Sequence, residues 1–174
     1  DLLSSGVYMI YVGLGANLVH PIYGRPANTL KIVARSLDGA QIKVLGMSDL
    51  YETSPVPDSG DPWFVNAVLS IETKLKPNDL LQFLHETENV FGRERSTINA
   101  PRLIDLDLLA YHDIVSVPGE VPILPHPRLD QRIFVMRPLS DLDPAGVHPR
   151  TGEVAADIIS KIPSNQKCRR LKFF

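Results

Sequence analysis

The stretch WFVNAVLSIET, residues 63–73, alternates between two kinds of side chain. Its odd positions, from Val65 to Ile71, are all apolar, whereas its even positions, from Phe64 to Ser70, mix aromatic, amide, apolar and hydroxyl groups. Side chains two residues apart in a strand share a face of the sheet. We therefore predict a strand with one face in a hydrophobic core and a second, more polar face.

Five further elements are predicted around this strand. The pattern indicates strands over residues 7–14, 41–53 and 102–111, with a bulge at Gly46, and helices over residues 28–39 and 77–92. The resulting order is β-α-β-β-α-β, which is typical of the ferredoxin-like α+β fold. This fold class predicts an antiparallel sheet with helices packed on one face.

The chain beyond residue 111 begins with proline-rich loops and ends in two predicted helices. These helices cover residues 130–142, with an interruption expected at Pro138, and residues 153–162. The pattern specifies the last 12 residues only weakly. With 174 residues, we expect a single domain over 1–174, whose core spans about 7–111 and whose remainder, 112–174, supplies loops and C-terminal helices.

The bulk composition excludes several classes of protein. The net charge is −2, so we expect no binding to nucleic acid and none to an anionic membrane. The single cysteine, Cys168, excludes an internal disulfide and a cysteine-based zinc site. No segment has the length of a membrane span, and the first residues lack the pattern of a signal peptide. These features favour a cytoplasmic protein.

Two carboxylates interrupt the apolar segment NAPRLIDLDLLAYHD, residues 99–113. On a strand, Asp105 and Asp107 would project to the same face, while Leu106 and Leu108 would point into the core. Such a pair suits Mg²⁺, which takes one or two carboxylates together with waters and substrate phosphates. A merely solvated face gives the same alternation, and the segment alone leaves both readings open.

Arginines flank this aspartate pair in the sequence. Arg93, Arg95 and Arg102 precede it, and Arg128 and Arg132 follow it. Arginine is well suited to bidentate contact with phosphate, although each of these side chains could also be an ordinary surface residue. Metal-binding carboxylates surrounded by arginines indicate a polyphosphate substrate.

The standard nucleotide-binding loops are not present in the sequence. It contains no GxxxxGK[ST], and GLGANL, residues 13–18, fails GxGxxG because Leu18 replaces the third glycine. We therefore interpret Gly13 and Gly15 as residues that shape the exit of the first strand. Any ATP site must be built in another way.

Three other side chains are candidates for ligand contact. His126 lies in the proline-rich segment LPHPR, where a phosphate-binding or proton-donating role and a structural role are both open. The carboxamide of Asn66 could bind the mixed donor and acceptor edge of a heterocycle. Phe64 and Phe134 could stack on such a ring or belong to the core.

Several motifs occur together in an order that carries a resemblance. They are GLGANL, YETSPV, WFVNAV, ENVFGRER, APRLIDLDLLAY, PHPR and RIFVMRPL, and they span about residues 12–139. On these motifs the chain resembles the 6-hydroxymethyl-7,8-dihydropterin pyrophosphokinases of folate biosynthesis. The resemblance implies Mg²⁺-dependent transfer of pyrophosphate from ATP to the hydroxymethyl group of the pterin, with release of AMP.

The resemblance also implies roles for individual residues. Asp105 and Asp107 would hold two Mg²⁺ ions and, with Arg95 and Arg102, form the catalytic set. The implied pterin contacts are Thr53, Ser54, Val56, Phe64, Asn66 and Phe134. The implied ATP contacts are His85, Glu88, Arg95, Arg102, Leu108, His126 and Arg132. From the residues alone, a salt bridge between Glu88 and Arg95 is the simpler reading. The expected partners are the two small-molecule substrates, and the expected state is a monomer.

Rival functions fit the same fold class. A two-metal nucleotidyl transferase or cyclase would also place paired carboxylates on such a sheet, and would release pyrophosphate instead of AMP. A non-catalytic small-molecule sensor would bind a ligand without needing Asp105. An RNA-binding sheet would need basic residues and exposed aromatic side chains, which residues 63–73 and 102–111 do not supply.

Overall fold

The computed structural model describes residues 8–55, 60–92 and 103–171. These residues form an antiparallel sheet whose strands are β1 (Ile10–Ala16), β2 (Ile42–Met47), β3 (Tyr51–Thr53), β4 (Phe64–Thr73), β5 (Asp105–Tyr111) and β6 (Cys168–Arg170). The helices are α1 (Pro26–Leu37), α2 (Pro77–Val90), α3 (Ile133–Leu142) and α4 (Ala155–Lys161), and a 3₁₀ turn (Leu129–Gln131) precedes α3. Within these parts of the chain, no helix combines the length and apolarity that crossing a bilayer requires.

The strands follow the order β5-β1-β4-β3-β6, and β2 also pairs with β4. β1 lies between β4 and β5 and is antiparallel to both. The chain therefore runs in the predicted β-α-β-β-α-β order, except that the predicted second strand is divided into β2 and β3 and that β6 is added at the edge of the sheet. The mixed α+β class and the antiparallel sheet are confirmed.

The first face of the sheet packs against α1 and α2. The odd positions of β4, from Val65 to Ile71, lie in this core together with Leu30 of α1 and Leu84 of α2. Both helices begin with proline at their first turn, where the missing N–H costs no helical hydrogen bond. The predicted alternation of β4 is confirmed on this face.

The second face of the sheet carries a separate core. Val68 of β4 and Leu109 of β5 pack there with Val135 and Leu139 of α3 and with Ile158 of α4. The two helices of the predicted core, α1 and α2, therefore lie on one face as expected, and the C-terminal helices lie on the other. α3 and α4 cover one end of the second face, and this partial cover leaves a cavity at the other end.

Two predictions about the elements are wrong. The strand expected over residues 41–53 is divided into β2 and β3 by residues 48–50, where the Ser48 hydroxyl accepts a hydrogen bond from the backbone N–H of Val68 in place of a regular strand pairing. The interruption expected at Pro138 is absent, because α3 continues through this residue. By contrast, the bulge expected at Gly46 is confirmed, since the register between β2 and β4 shifts there. The C-terminal segment forms β6, which pairs with β3.

Candidate functional site

A cavity of about 750 Å³ lies between the second face of the sheet and the first turn of α3. Its lining comes from the ends of β1, β3, β4 and β5, from the loop before α3 and from Gln166 near the C-terminus. The lining combines charged and histidine side chains, which suit a phosphate, with amide and aromatic side chains, which suit a flat ring. The predicted residues that line it are Thr53, Ser54, Phe64, Asn66, Asp105, Asp107, His126, Arg132 and Phe134.

Asp105 and Asp107 project from β5 into this cavity, as the alternation predicts. Both are partly exposed, whereas Leu106 and Leu108 between and beside them are buried in the first core. Leu109, two residues after Asp107, lies on the same face of β5 and belongs to the second core. The two carboxylates therefore stand on the cavity side of a strand whose other side is anchored in the core.

Gly13 and Gly15 lie opposite the aspartates in the neighbouring strand. Gly13 pairs with Asp107 and Gly15 pairs with Asp105 in the register of β1 and β5. The interpretation of these glycines as residues of the strand exit is wrong, because both lie inside β1 and line the cavity. Without side chains, they form a floor between β5 and β4 and let the side chains of Leu109 and Asn66 approach β1 closely.

The far side of this floor carries the amide and the aromatic residues. Asn66 is buried and donates a 2.8 Å hydrogen bond from Nδ2 to the hydroxyl oxygen of Thr53. Phe64 lies two residues earlier on the same face of β4, and Phe134 lies on the first turn of α3. Thr53, Asn66 and the two rings therefore form a polar edge flanked by aromatic surfaces.

His126 lies at the end of the cavity that contains Asp105, Arg128 and Arg132. Its Nδ1 accepts a hydrogen bond from the backbone N–H of Arg128 at 3.2 Å, which places the ring proton on Nε2. Burial lowers the pKa of His126 to about 4, and the nearby Arg132 and Arg128 add to this effect, while Asp105 opposes it. The imidazole is therefore neutral at pH 7 and presents a hydrogen-bond donor.

Arg132 links the two ends of the cavity. Its guanidinium carbon lies 5.3 Å from the centre of the Phe134 ring, a cation–π contact. Arg128 also lines the cavity and is exposed. The cluster combines two carboxylates, a neutral histidine and two arginines, a set of groups suited to a metal-bound polyphosphate.

Three predicted ATP contacts do not line the cavity. Leu108 is buried in the first core. Glu88 is 1% exposed on α2, and its Oε1 accepts a hydrogen bond from the backbone N–H of Leu106 at 3.3 Å. His85 is also on α2, which packs on the opposite face of the sheet. Glu88 therefore contacts β5 from the face of the sheet opposite the cavity. The assignment of these three residues to ATP stays a prediction.

Other predicted site residues lie outside the described residues. They are Val56, Arg93, Arg95 and Arg102. Their assigned roles stay predictions.

The structure also adds residues that sequence reasoning missed. Asp61, Gln131 and Gln166 line the cavity. Gln131 is adjacent to Arg132 and could have been found from that motif. Gln166 lies in a segment without any recognisable pattern, and its place depends on the pairing of β6 with β3.

The donor set fits Mg²⁺ when phosphate is also bound. Among the described residues, no group of three or more His, Cys, Asp or Glu side chains is placed to hold a metal ion. The pair Asp105 and Asp107 supplies carboxylate oxygens only, and Mg²⁺ commonly takes its remaining ligands from water and substrate phosphates. The cavity that the pair lines, with a volume of about 750 Å³, leaves room for those ligands.

Comparison with known proteins agrees with this geometry. Residues 11–144 match the profile of the 7,8-dihydro-6-hydroxymethylpterin-pyrophosphokinase family, abbreviated HPPK. The chain belongs to the HPPK family. The matched range contains every cavity residue discussed so far except Gln166.

Named bacterial pyrophosphokinases are similar to this HPPK chain over most of their length. The 2-amino-4-hydroxy-6-hydroxymethyldihydropteridine pyrophosphokinase of Methylorubrum extorquens is 35% identical over 153 residues, which are 87% of this chain and 92% of the relative. The enzyme of the same name from Bacillus subtilis is 35% identical over 132 residues, 76% of each chain.

The chain also matches part of longer folate-synthesis proteins. The folic acid synthesis protein fol1 of Schizosaccharomyces pombe is 42% identical over 123 residues, which are 71% of this chain and 17% of that protein. Among solved structures, an HPPK-DHPS chain in complex with substrates is similar with a TM-score of 0.67 at 13% identity, covering 88% of this chain and 43% of that one. A Plasmodium falciparum HPPK-DHPS triple mutant gives a TM-score of 0.63 at 14% identity, covering 92% of this chain and 46% of that one. These structures confirm the ferredoxin-like fold.

Proposed function

We propose that this chain transfers a pyrophosphoryl group from ATP to the hydroxymethyl group of 6-hydroxymethyl-7,8-dihydropterin. This is the activity after which the HPPK family is named. The observation that carries the proposal is that one cavity contains both a group of side chains suited to phosphate and a group suited to a flat ring. The aspartates Asp105 and Asp107 line it with His126, and the Asn66 amide lines it with Phe64 and Phe134.

The reaction joins the two substrates through one phosphorus atom. The hydroxymethyl oxygen of the pterin forms a bond to the β-phosphorus of ATP, and the bond from that phosphorus to the oxygen bridging to the α-phosphate breaks. AMP leaves with the bridging oxygen, and the hydroxyl proton is released. Such transfers depend mainly on positioning and on neutralising charge, so no covalent intermediate with the protein is required.

The aspartate pair would hold the metal at the phosphate end. We place two Mg²⁺ ions at Asp105 and Asp107, where they would neutralise the charge of the triphosphate. The chain's own contribution is to keep both carboxylates on one strand face beside the glycine floor, with Leu106 anchored in the core.

His126 and Arg132 would bind the phosphate oxygens directly. Neutral His126 offers its Nε2–H as a donor, because its Nδ1 is already an acceptor for the Arg128 backbone N–H. Arg132 offers a permanently charged guanidinium held over the Phe134 ring. In the proposed complex, Arg95 and Arg102 add further positive charge.

The end of the cavity that contains Asn66 would bind the pterin ring. Because Asn66 Nδ2 donates to the Thr53 hydroxyl oxygen, the carboxamide has a fixed orientation towards the cavity. The remaining amide oxygen and N–H suit a ring edge that carries both donors and acceptors. Phe64 and Phe134 would sandwich the flat ring, and Ser54 and Val56 would complete its edge contacts.

We further propose that the chain acts as a monomer in the cytoplasm. Both statements rest on its ordinary composition and on the small size of its substrates. The chain covers only 17% and 20% of the fungal relatives from Schizosaccharomyces pombe and Pneumocystis carinii, so activities of those longer proteins beyond pyrophosphoryl transfer are not assigned to it.

Product analysis tests the proposal directly. The protein is mixed with ATP, Mg²⁺ and 6-hydroxymethyl-7,8-dihydropterin, and the nucleotides are separated by chromatography. Pterin-dependent AMP without ADP supports pyrophosphoryl transfer. ADP would indicate an ordinary kinase, and free pyrophosphate from ATP would indicate a nucleotidyl transferase. A folded sample that yields no pterin-dependent product would favour a sensor.

A further inference from the structure

The C-terminal segment, residues 166–171, connects two opposite walls of the cavity. Its strand β6 pairs with β3, so that Thr53 is opposite Cys168. The backbone N–H of Ser54 donates to the carbonyl of Lys167 at 3.3 Å. One wall of the cavity, the end of β3, is therefore held by this segment through backbone hydrogen bonds.

The same segment holds the other wall through one side chain. Oε1 of Gln166 accepts a hydrogen bond from the backbone N–H of Ile133 at 3.0 Å. Nε2 of Gln166 donates to the carbonyl of Gln131 at 3.0 Å. Ile133 is the first residue of α3, whose N-cap, Arg132, makes no side-chain capping bond. The Gln166 amide therefore caps α3 from a distant part of the chain.

Polar contacts anchor the segment to the rest of the protein. The Arg170 guanidinium bonds to Asp141 at 3.1 Å and to Asp49 at 3.2 Å, and the Tyr51 hydroxyl also bonds to Asp141. Leu171 donates a backbone hydrogen bond to the Leu50 carbonyl at 2.8 Å. These contacts join β3, α3 and β6, so Gln166 projects from a fixed base.

We propose that Gln166 is a positioning residue for the ring-binding end of the cavity. Its amide fixes the first turn of α3, which carries Phe134, and thereby sets the gap between that ring and the wall at Thr53 and Ser54. Removing the amide lets the turn move, so that the gap no longer matches the thickness of a flat heterocycle. This inference rests on the proposed function for the identity of the ring.

The test compares Gln166→Leu with Gln166→Glu and a matched control. Leucine keeps a similar size but removes both hydrogen bonds, whereas glutamate keeps the acceptor for the Ile133 N–H. Gln82→Leu is the control, because Gln82 is exposed on α2 and its amide bonds to Glu86. In Gln166→Leu we expect the KM for the pterin to rise about fivefold or more, since one hydrogen bond is worth about that factor and two are removed, with a smaller change in the KM for ATP. Gln166→Glu recovers part of this loss.

A second measurement is independent of catalysis. Amide hydrogen exchange at residues 133–135 reports on the cap in the free protein, and we expect faster exchange in Gln166→Leu but not in Gln82→Leu. Unchanged exchange at these residues, or equal increases of both KM values, overturns the inference. If the unmodified protein forms no AMP, the proposed function fails, while the exchange measurement still decides whether Gln166 positions α3.

Discussion

The Oδ1 atom of Asn66 lies 2.8 Å from the position that a β-carbon on Gly15 would occupy. Gly15 and Asn66 are paired residues of β1 and β4. Because Nδ2 of Asn66 is bonded to Thr53, the amide cannot turn away without losing that hydrogen bond. A side chain on β1 at this point is therefore incompatible with the present orientation of Asn66.

We predict that Gly15→Ala weakens pterin binding. The added methyl group must displace the Asn66 amide, and such overpacking costs about 1–3 kcal/mol. The KM for the pterin should rise by roughly tenfold or more, while the KM for ATP changes little. Gly39→Ala is the control, since nothing lies within 4 Å of its β-carbon position. Equal pterin binding by Gly15→Ala and the control would contradict the assigned role of Asn66.

We predict that Gly13→Ala is milder than Gly15→Ala. A β-carbon on Gly13 would lie 3.3 Å from Cδ1 of Leu109, the end of a flexible side chain. Leu109 can yield by a small rotation, so we expect a loss of pterin binding below that of Gly15→Ala. Isothermal calorimetry of both variants checks the order, and a larger loss in Gly13→Ala would show that the floor beside Asp107 is more critical than the amide contact.

We predict that Asp105→Ala and Asp107→Ala each reduce the rate of AMP formation by about 100-fold or more, the usual cost of removing one group that stabilises the transition state. Both side chains are partly exposed, so the thermal unfolding midpoint should change little. Asp113→Ala is the control, because Asp113 is exposed just beyond β5. Retained turnover in either variant would exclude the two-metal assignment.

We predict that Phe134→Ala weakens pterin binding more than ATP binding. Loss of an aromatic stacking partner costs about 0.5–1.5 kcal/mol beyond the lost burial, so the dissociation constant for the pterin should rise by roughly tenfold. Phe83→Ala is the control, because Phe83 packs partly buried against the first core and does not line the cavity. Calorimetry with each substrate separates the effects, and equal weakening of both would argue against stacking.

We predict that His126 stays neutral well below pH 6. Its pKa is lowered from 6.5 to about 4, first by burial and then by Arg132 and Arg128. Between these two values the unfolded chain binds a proton that the folded chain does not, so the free energy of unfolding falls as the pH falls through this window. The variant His126→Gln should show a weaker fall over the same range.

NMR titration of the His126 ring gives the direct measurement. The ring signals should keep their neutral-form shifts until the pH approaches about 4. A midpoint near the ordinary value of 6.5 would show that burial does not exclude water from this ring, and would remove the reason for treating His126 as a neutral donor.

Much of the fold follows from local pattern in the sequence. The two-residue alternation of β4 and the spacing of Asp105 and Asp107 hold wherever these segments are extended, because neighbouring side chains on a strand must point to opposite faces. The helical period of α1 and α2 likewise needs no knowledge of distant residues. These local rules were enough to predict the ferredoxin-like order and to place both carboxylates together.

Tertiary structure alone decided the rest. Gly13 and Gly15 became a cavity floor because β5 and β4 pair with β1 on either side. Glu88 became buried because α2 packs beneath β5, and Gln166 reached α3 because β6 pairs with β3. Each outcome depends on contacts between residues far apart in the chain, and a local pattern carries no information about which distant surface will cover it.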